Sequence, residues 1–380
     1  MTVYNNADQY YDFSTMTTYI VIWIIFLLLC SPGILKNASS SRGIVQIIIM
    51  ALAIIVAFRV DVGTDWVNYK KYYYSGIAFD KPSGEAEPIF MFIRDICYKF
   101  GFSHALFFLI NALISLYAIY KAALLFNVRN IYITFFVYLS LFFCSLQFNI
   151  VRTGVMASCV WLAYAYKSQD KLIKAIVWIA IGSGFHYIAL LFLPFLFIIN
   201  KRLTTKWFVS ILGVGVLLYV IGFGSKILEL FPFLALIDRV SGYVDSGESE
   251  SYGLSIGLIF NMALCVCLYF KYRKEYDDNN KFRLFLNVLL LNNIIVLSIN
   301  DLGTIIARIG QTLNMTAIFL WPFVFTKLKK LDSRIVIGLL FIVYLGLFYY
   351  RTWADDGNSA TSGDMLPYTF DLTQLLDTQE

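Results

Sequence analysis

The sequence predicts an all-α, polytopic integral membrane protein with about twelve transmembrane helices. Three observations predict it. Hydrophobic residues make up 59% of the chain and charged residues 14%, with a mean hydropathy of +0.70, too apolar for a soluble globule of 380 residues. The apolar residues gather in runs mostly of roughly 17–25, the length at which a helix crosses hydrocarbon while satisfying its own backbone. Between the runs, 19 of the 30 Lys and Arg fall in alternate connections.

The first run, 16–35, has no basic leader and no small-residue cleavage site, so it reads as a retained span. Lys36 and Arg42 separate it from the second, 43–59. In the polar stretch 60–103 that follows, Pro88 to Phe100 interleaves Ile89, Phe90, Phe92, Ile93, Ile96 and Tyr98 with Arg94, Asp95 and Lys99. That pattern predicts an amphipathic helix lying at the membrane surface. Spans 104–126, 130–147 and 150–167 come next, with Lys121 and Arg129 at the first junction and almost no loop at the second. Lys167, Lys171 and Lys174 mark the turn into 172–200. As one straight helix that stretch would reach about 44 Å, against roughly 30 Å of hydrocarbon, so it reads as two short segments, 172–185 and 186–200, turning at His186. Lys201, Arg202 and Lys206 precede 207–225, and the Gly-, Ser- and acid-containing segment 226–252 separates it from 253–271. Lys271, Arg273, Lys274, Lys281 and Arg283 lead into 284–300; the spans 303–326 and 334–350 are joined through Lys327, Lys329, Lys330 and Arg334.

Basic connections stay in the cytoplasm, which puts both termini outside. A transmembrane domain, 1–351, then exposes the loops 60–103 and 226–252 and an external tail, 352–380. Because the basic residues are spread between spans and form no contiguous face, the net charge of +5 does not indicate nucleic acid. Five of the six cysteines lie in apolar runs and Cys97 lies in the amphipathic stretch, so neither a disulfide framework nor a zinc site is expected. Cys265 and Cys267 should point to different sides of one helix. No internal repeat and no matched pair of broken helices is visible, which speaks against an inverted-repeat transporter.

The charges left over are the candidates for function. Arg59 ends the second span, with Asp61, Asp65, Trp66, Asn68 and Tyr69 close behind and Gly63-Thr64 permitting a tight turn. Glu87 precedes Pro88 at the start of the surface helix, the ordinary composition of a helix beginning. Asn149 and Arg152, three apart, share a helical face where two spans meet, and an arginine at that depth usually faces a cavity or a partner. His186 sits in an external turn, whereas His104, after Ser103, reads as a cap or interfacial residue. Asp301, Thr304, Arg308 and Gln311 recur at helical spacing as one polar stripe, and Asn287, Asn292, Asn293 and Asn300 read mostly as interhelical glue. Arg59, Arg152 and Arg308 on three separate spans suit a polyanionic ligand such as a lipid-linked pyrophosphate. The residue pattern indicates no metal or nucleotide site.

In order along the chain, Arg59 with Gly63-Thr64-Asp65-Trp66 and Asn68-Tyr69, Glu87-Pro88, Asn149-Ile-Val-Arg152, Phe185-His186, Arg308 and Pro367-Tyr368 resemble the EpsG-like, Wzy-type polymerases of bacterial surface polysaccharides. The chain departs from that pattern in having Thr153 after Arg152 and in offering no match across 226–252. The resemblance implies a GT-C-like membrane glycosyltransferase of the bacterial inner membrane with its site facing outward. It would transfer a growing glycan from undecaprenyl pyrophosphate to a lipid-linked repeat unit, without metal or other cofactor. Arg59, Arg152 and Arg308 would hold the pyrophosphate, His186, Asp65 or Glu87 would act as base, and Asn149, Asn68, Tyr69 and Trp66 would contact substrate. A chain-length regulator and a flippase are the implied protein partners. A flippase or exporter for the same lipid, a lipid-linked glycan ligase and a non-catalytic scaffold are the competing readings.

Overall fold

The computed structural model describes residues 13–77, 86–223, 226, 256–299, 303–354 and 368–375. Within them the chain forms fifteen α-helices: α1 (Phe13–Lys36), α2 (Arg42–Ala57), α3 (Trp66–Ser75), α4 (Pro88–Lys99), α5 (His104–Leu125), α6 (Ile131–Tyr138), α7 (Val151–Lys167), α8 (Leu172–Ser183), α9 (Thr205–Val220), α10 (Ile256–Lys271), α11 (Arg273–Asp278), α12 (Asn280–Ser298), α13 (Gly303–Asn314), α14 (Ala317–Lys327) and α15 (Leu331–Ala354). One departure from the all-α expectation is a two-residue antiparallel ladder. It joins β1 (Arg59–Val60) to β2 (Thr369–Phe370), pairing Arg59 with Phe370 and Val60 with Thr369. The expected loop 226–252, except Lys226, and the tail apart from 352–354 and 368–375 lie outside the described residues.

Among the described residues, five helical stretches are long and apolar enough to cross a membrane, Thr17–Lys36, His104–Leu125, Ile131–Asn149, Asn280–Ser298 and Leu331–Tyr350, so the chain is a multi-pass membrane protein. The apolar stretches Arg42–Ala57, Leu172–Ser183, Tyr187–Phe197, Thr205–Val220 and Gly257–Lys271 are shorter. Three of the expected spans differ from continuous α-helix, the first being 130–147, which passes from α6 into the π-helical stretch Leu139–Asn149. The segment after His186 is two 3₁₀ pieces, Tyr187–Phe192 and Pro194–Phe197, where Pro194 has no N–H to give a longer helix. The run 303–326 is broken between α13 and α14 because the Thr312 carbonyl accepts from the Trp161 indole at 2.7 Å, while Thr316 N–H reaches Leu313 instead, at 3.0 Å.

Helix α7 is the axis of the bundle, buried from Val151 to Ala165 and packed chiefly on α5 and α8. An aromatic knot, Phe126, Trp161, Phe285 and Phe319, fastens it to α12 and α14, with Phe126 4.9 Å from Phe285 and Trp161 5.1 Å from Phe319 between ring centroids. Much of α1 and α15 is exposed apolar surface, as in Leu28, Leu340 and Leu347. On α10, Cys265 is buried and Cys267 exposed, the two sides that their spacing predicts.

The six basic connections gather at one end. Ser40 N–H donates to the Arg129 carbonyl at 3.2 Å, Gln169 reaches Leu125 O at 3.0 Å, and Leu203 N–H meets the Tyr276 hydroxyl at 3.1 Å. Lys327 pairs with Glu275 at 2.5 Å, and Arg334 donates to Ile34 O at 3.2 Å. Asn287, as expected of a glue residue, donates to both Ile199 O and Lys201 O at 2.8 Å. The candidate site lies at the opposite end, where α2 and α8 finish and α5 and α7 begin.

Candidate functional site

The site is organised by a break in a helix. From Leu139 to Asn149 the chain is π-helical, closed by Ile150 N–H to Ser145 O at 3.0 Å, and Ile150 leaves the helix at φ −103°, ψ 59° before α7 starts. Gly154 makes the restart possible, since a Cβ there would lie 2.2 Å from the Leu146 carbonyl oxygen. The break turns the Phe148 carbonyl and the Asn149 amide toward the chain after α2.

There the backbone makes a tight reversal, with Asp61 at φ 53° and Gly63 at φ 96°. Thr64 N–H donates to Asn149 Oδ1 at 3.2 Å, and a Cβ on Gly63 would come within 2.6 Å of that same oxygen. Asn149 thus helps to hold the Gly63-Thr64 turn. Arg59, fully buried, donates from Nε to Val62 O at 3.1 Å, from Nη2 to Phe148 O at 3.2 Å, and from Nη1 to Val56 O. Its guanidinium lies over the rings of Phe108 and Phe148, 4.5 and 5.1 Å from their centroids. This arrangement uses Arg59 as a clamp between α2, the turn and the helix break; contact with a pyrophosphate would require it to surrender backbone acceptors.

The tail completes the clamp. Asp371 N–H reaches Phe58 O at 3.0 Å, the Tyr368 hydroxyl donates to Ile55 O at 2.8 Å, and Gln374 Nε2 donates to Arg59 O at 3.4 Å. His104, also fully buried, stands between Tyr74 and Gln374: Nδ1 lies 3.1 Å from the Tyr74 hydroxyl and Nε2 3.0 Å from Gln374 Oε1. This role exceeds the cap or interfacial residue that the sequence suggested, and no local signal marks Gln374 as its partner.

Arg152, in the first turn of α7, meets Glu87 at the start of α4. The Nη1 to Oε2 distance is 2.8 Å, with Glu87 fully buried and Arg152 8% exposed. Tyr69 faces the same guanidinium; burial pushes its hydroxyl above the usual tyrosine range and Arg152 pulls it partly back. A buried pair of this kind is weak evidence for stability, but removing one partner strands the other charge.

The Gly184 carbonyl accepts from Ile89 N–H at 2.9 Å and Phe90 N–H at 3.1 Å, the first free donors of α4. A side chain at Gly184 would collide with Ile89 at 2.4 Å, so glycine is what lets the two segments touch. Two residues on, His186 Nε2 lies 2.9 Å from Arg308 Nη1, and Ile188 N–H approaches Nδ1 at 3.3 Å. One turn along α13 from Arg308, Gln311 donates to Ser145 in the π-helical segment at 3.1 Å. Asp301 and the Thr304 side chain of the predicted stripe lie outside the described residues.

Five dispersed sequence features therefore meet through direct contacts: the 59–69 turn with Asn149, Arg152 with Glu87, α4 with Gly184, and His186 with Arg308. The substrate residues divide. Asn68 is exposed, but Trp66 packs edge-on to His104 at 5.9 Å and Tyr69 packs on Phe90 and Phe108. Neither ring offers an open stacking face, and Tyr72, stacked on Phe90 at 5.4 Å, is likewise part of the core. Asp65 flanks α3 without a side-chain capping bond and is only partly buried, in electrostatic reach of Tyr69.

The EpsG family model matches residues 44–370, a range that contains every one of these contacts except those of Asp371 and Gln374. No curated protein and no solved structure matches the chain.

Proposed function

This chain belongs to the EpsG family, linked to exopolysaccharide biosynthesis, and we propose that it is a repeat-unit polymerase of a bacterial surface polysaccharide. In this reading it is a GT-C-like glycosyltransferase of the inner membrane. The end holding the basic connections faces the cytoplasm and the arginine-bearing end faces outward. The donor is the growing glycan on undecaprenyl pyrophosphate; the acceptor is a hydroxyl of a second lipid-linked repeat unit.

Arg152 and Arg308 bind the pyrophosphate and stabilise the charge that accumulates on it, donors fixed in advance in a largely buried site. Arg59 holds the turn and the helix break in register and acts on the reaction through them. The acceptor oxygen forms a bond to the anomeric carbon as its proton passes to a base. The bond from that carbon to the pyrophosphate oxygen breaks, and its electron pair leaves with undecaprenyl pyrophosphate. His186, beside Arg308, is the proposed base, with Glu87 and Asp65 as the alternatives.

The observation that supports this reading best is that two arginine pairs, Arg152 with Glu87 and Arg308 with His186, are linked by the contact of Gly184 with the start of α4. The test is the surface-polysaccharide ladder of cells lacking the protein, complemented with wild type, Arg152→Ala or Arg308→Ala at equal membrane levels. Long chains with wild type, and single units on the outer face with either variant, are expected. Normal ladders from both variants would replace the polymerase with a scaffold; units trapped on the inner face in the null would replace it with a flippase.

A further inference from the structure

We propose that Trp161 is a positioning residue: its indole N–H, by taking the Thr312 carbonyl, holds a short 3₁₀ step between α13 and α14, and that step fixes the face on which α13 presents Arg308. This rests on the polymerase reading above and adds to it the residue that aims one of its arginines.

In a continuous α-helix the Thr312 carbonyl would accept from Thr316 N–H. Here it accepts from Trp161 Nε1 at 2.7 Å. The backbone donors that follow reach back three residues instead of four: Thr316 N–H to Leu313 O at 3.0 Å, Ile318 N–H to Met315 O at 3.1 Å and Phe319 N–H to Thr316 O at 3.1 Å. Trp161 and Thr312 are both fully buried. Without the indole no water would reach that carbonyl, and the donor one turn along, Thr316 N–H, is the group that can satisfy it.

Closing that bond would straighten the junction. A 3₁₀ step turns the chain by about 120° per residue and an α step by about 100°, so returning three steps to α turns α13 against α14 by about 60°. Helix α14 is held, because Phe319 is locked in the aromatic knot and the Thr316 hydroxyl donates to Phe285 O of α12 at 3.1 Å. The rotation therefore falls on α13. It would carry Arg308 off His186 Nε2, now 2.9 Å away, and Gln311 off Ser145, now 3.1 Å away. Thr312 passes the constraint on directly, since its hydroxyl donates to the Arg308 carbonyl at 2.9 Å.

The indole itself is aimed by its neighbours. Tyr164 stands edge-on to it at 5.5 Å and Phe319 lies 5.1 Å away between ring centroids, with Phe126 on a further side. Tryptophan suits the place because it joins a large apolar ring, which the knot needs, to an N–H donor.

The test separates aiming from packing in full-length protein in nanodiscs. Trp161→Phe removes the N–H. A benzothienylalanine at 161 also removes it but keeps the bicyclic ring, with sulfur in place of the N–H. Phe126→Leu loosens the same knot and leaves the bond to Thr312. Farnesyl pyrophosphate is the probe, with binding read by calorimetry, stability by thermal unfolding and the backbone of 312–319 by electron cryomicroscopy. Both replacements at 161 should form the Thr316 to Thr312 bond and weaken probe binding by about tenfold or more, the loss expected for one hydrogen-bonded charge. Phe126→Leu should lower the unfolding midpoint at least as much as the benzothienylalanine does, yet bind the probe as wild type does. Wild-type affinity or an unchanged break in the benzothienylalanine protein, or equal weakening by Phe126→Leu, would make Trp161 a packing residue alone; the positioning is then wrong while the donor site stands. If wild type does not bind the probe, the pyrophosphate reading itself falls, and the inference with it.

Discussion

Arg152 and Glu87 show what one buried ion pair demands of a membrane protein. Arg152→Ala should leave the Glu87 carboxylate stranded, at a cost of roughly 3–5 kcal/mol, whereas the double variant Arg152→Met/Glu87→Leu should recover most of that stability. Thermal unfolding in detergent measures both, and the polysaccharide ladder should be short in both, which separates folding from chemistry. Gly63 is the second test at this scale. At φ 96°, with Asn149 Oδ1 in the place of a Cβ, Gly63→Ala should abolish long chains even where membrane levels are unchanged. Arg59, Arg152, Arg308 and His186 were all visible in the sequence, because a charged or titratable side chain within apolar runs is conspicuous. Their pairings were not: the fold decides that Arg152 meets Glu87 and Arg308 meets His186, while Arg59 gives itself to backbone carbonyls, which have no sequence signature.

Among the elements, the tail strand is the one with the largest unexpected role. Its ladder with β1, the Tyr368 and Asp371 bonds and the junction of Gln374 with His104 hold the turn that carries Arg59. A chain ended after residue 367 should reach the membrane at normal level yet yield only short polysaccharide. Linking Val60→Cys to Thr369→Cys, partners in the ladder, should preserve long chains under oxidising conditions if the strap stays closed during turnover. Helix α4 was legible from its alternation of apolar and charged residues, and Phe92, Ile96 and Phe100 are exposed along one side of it while Phe90 and Cys97 are buried. The π-helical segment was not legible, since in a short, mostly apolar run a local change of hydrogen-bond register leaves no periodic trace. The same holds for the 3₁₀ pieces after His186.

The whole molecule sorts its charge by end. Six basic connections touch one another at one end and the arginine pairs occupy the other, as the positive-inside distribution anticipates. In a Cys267→Ser background, an impermeant thiol reagent added to intact cells should label Asn68→Cys and Thr373→Cys but not Ser40→Cys. Labelling of Ser40→Cys alone would invert the orientation and move the proposed chemistry to the cytoplasmic side.

By itself the sequence determined the membrane class, the positions of the apolar runs and the alternation of basic connections, because the bilayer reads length, hydropathy and charge locally. It also singled out the charged residues that hydrocarbon would not tolerate without a reason. Only the tertiary structure decided which of them meet. Arg59 became a clamp, Arg152 found Glu87 across 65 positions, Arg308 found His186 across 122, and residues 368–375 returned to the second helix. Those pairings depend on where a helix breaks, at Ile150 and at Gly184, and a break is set by which distant donors and acceptors are at hand to satisfy the backbone it frees.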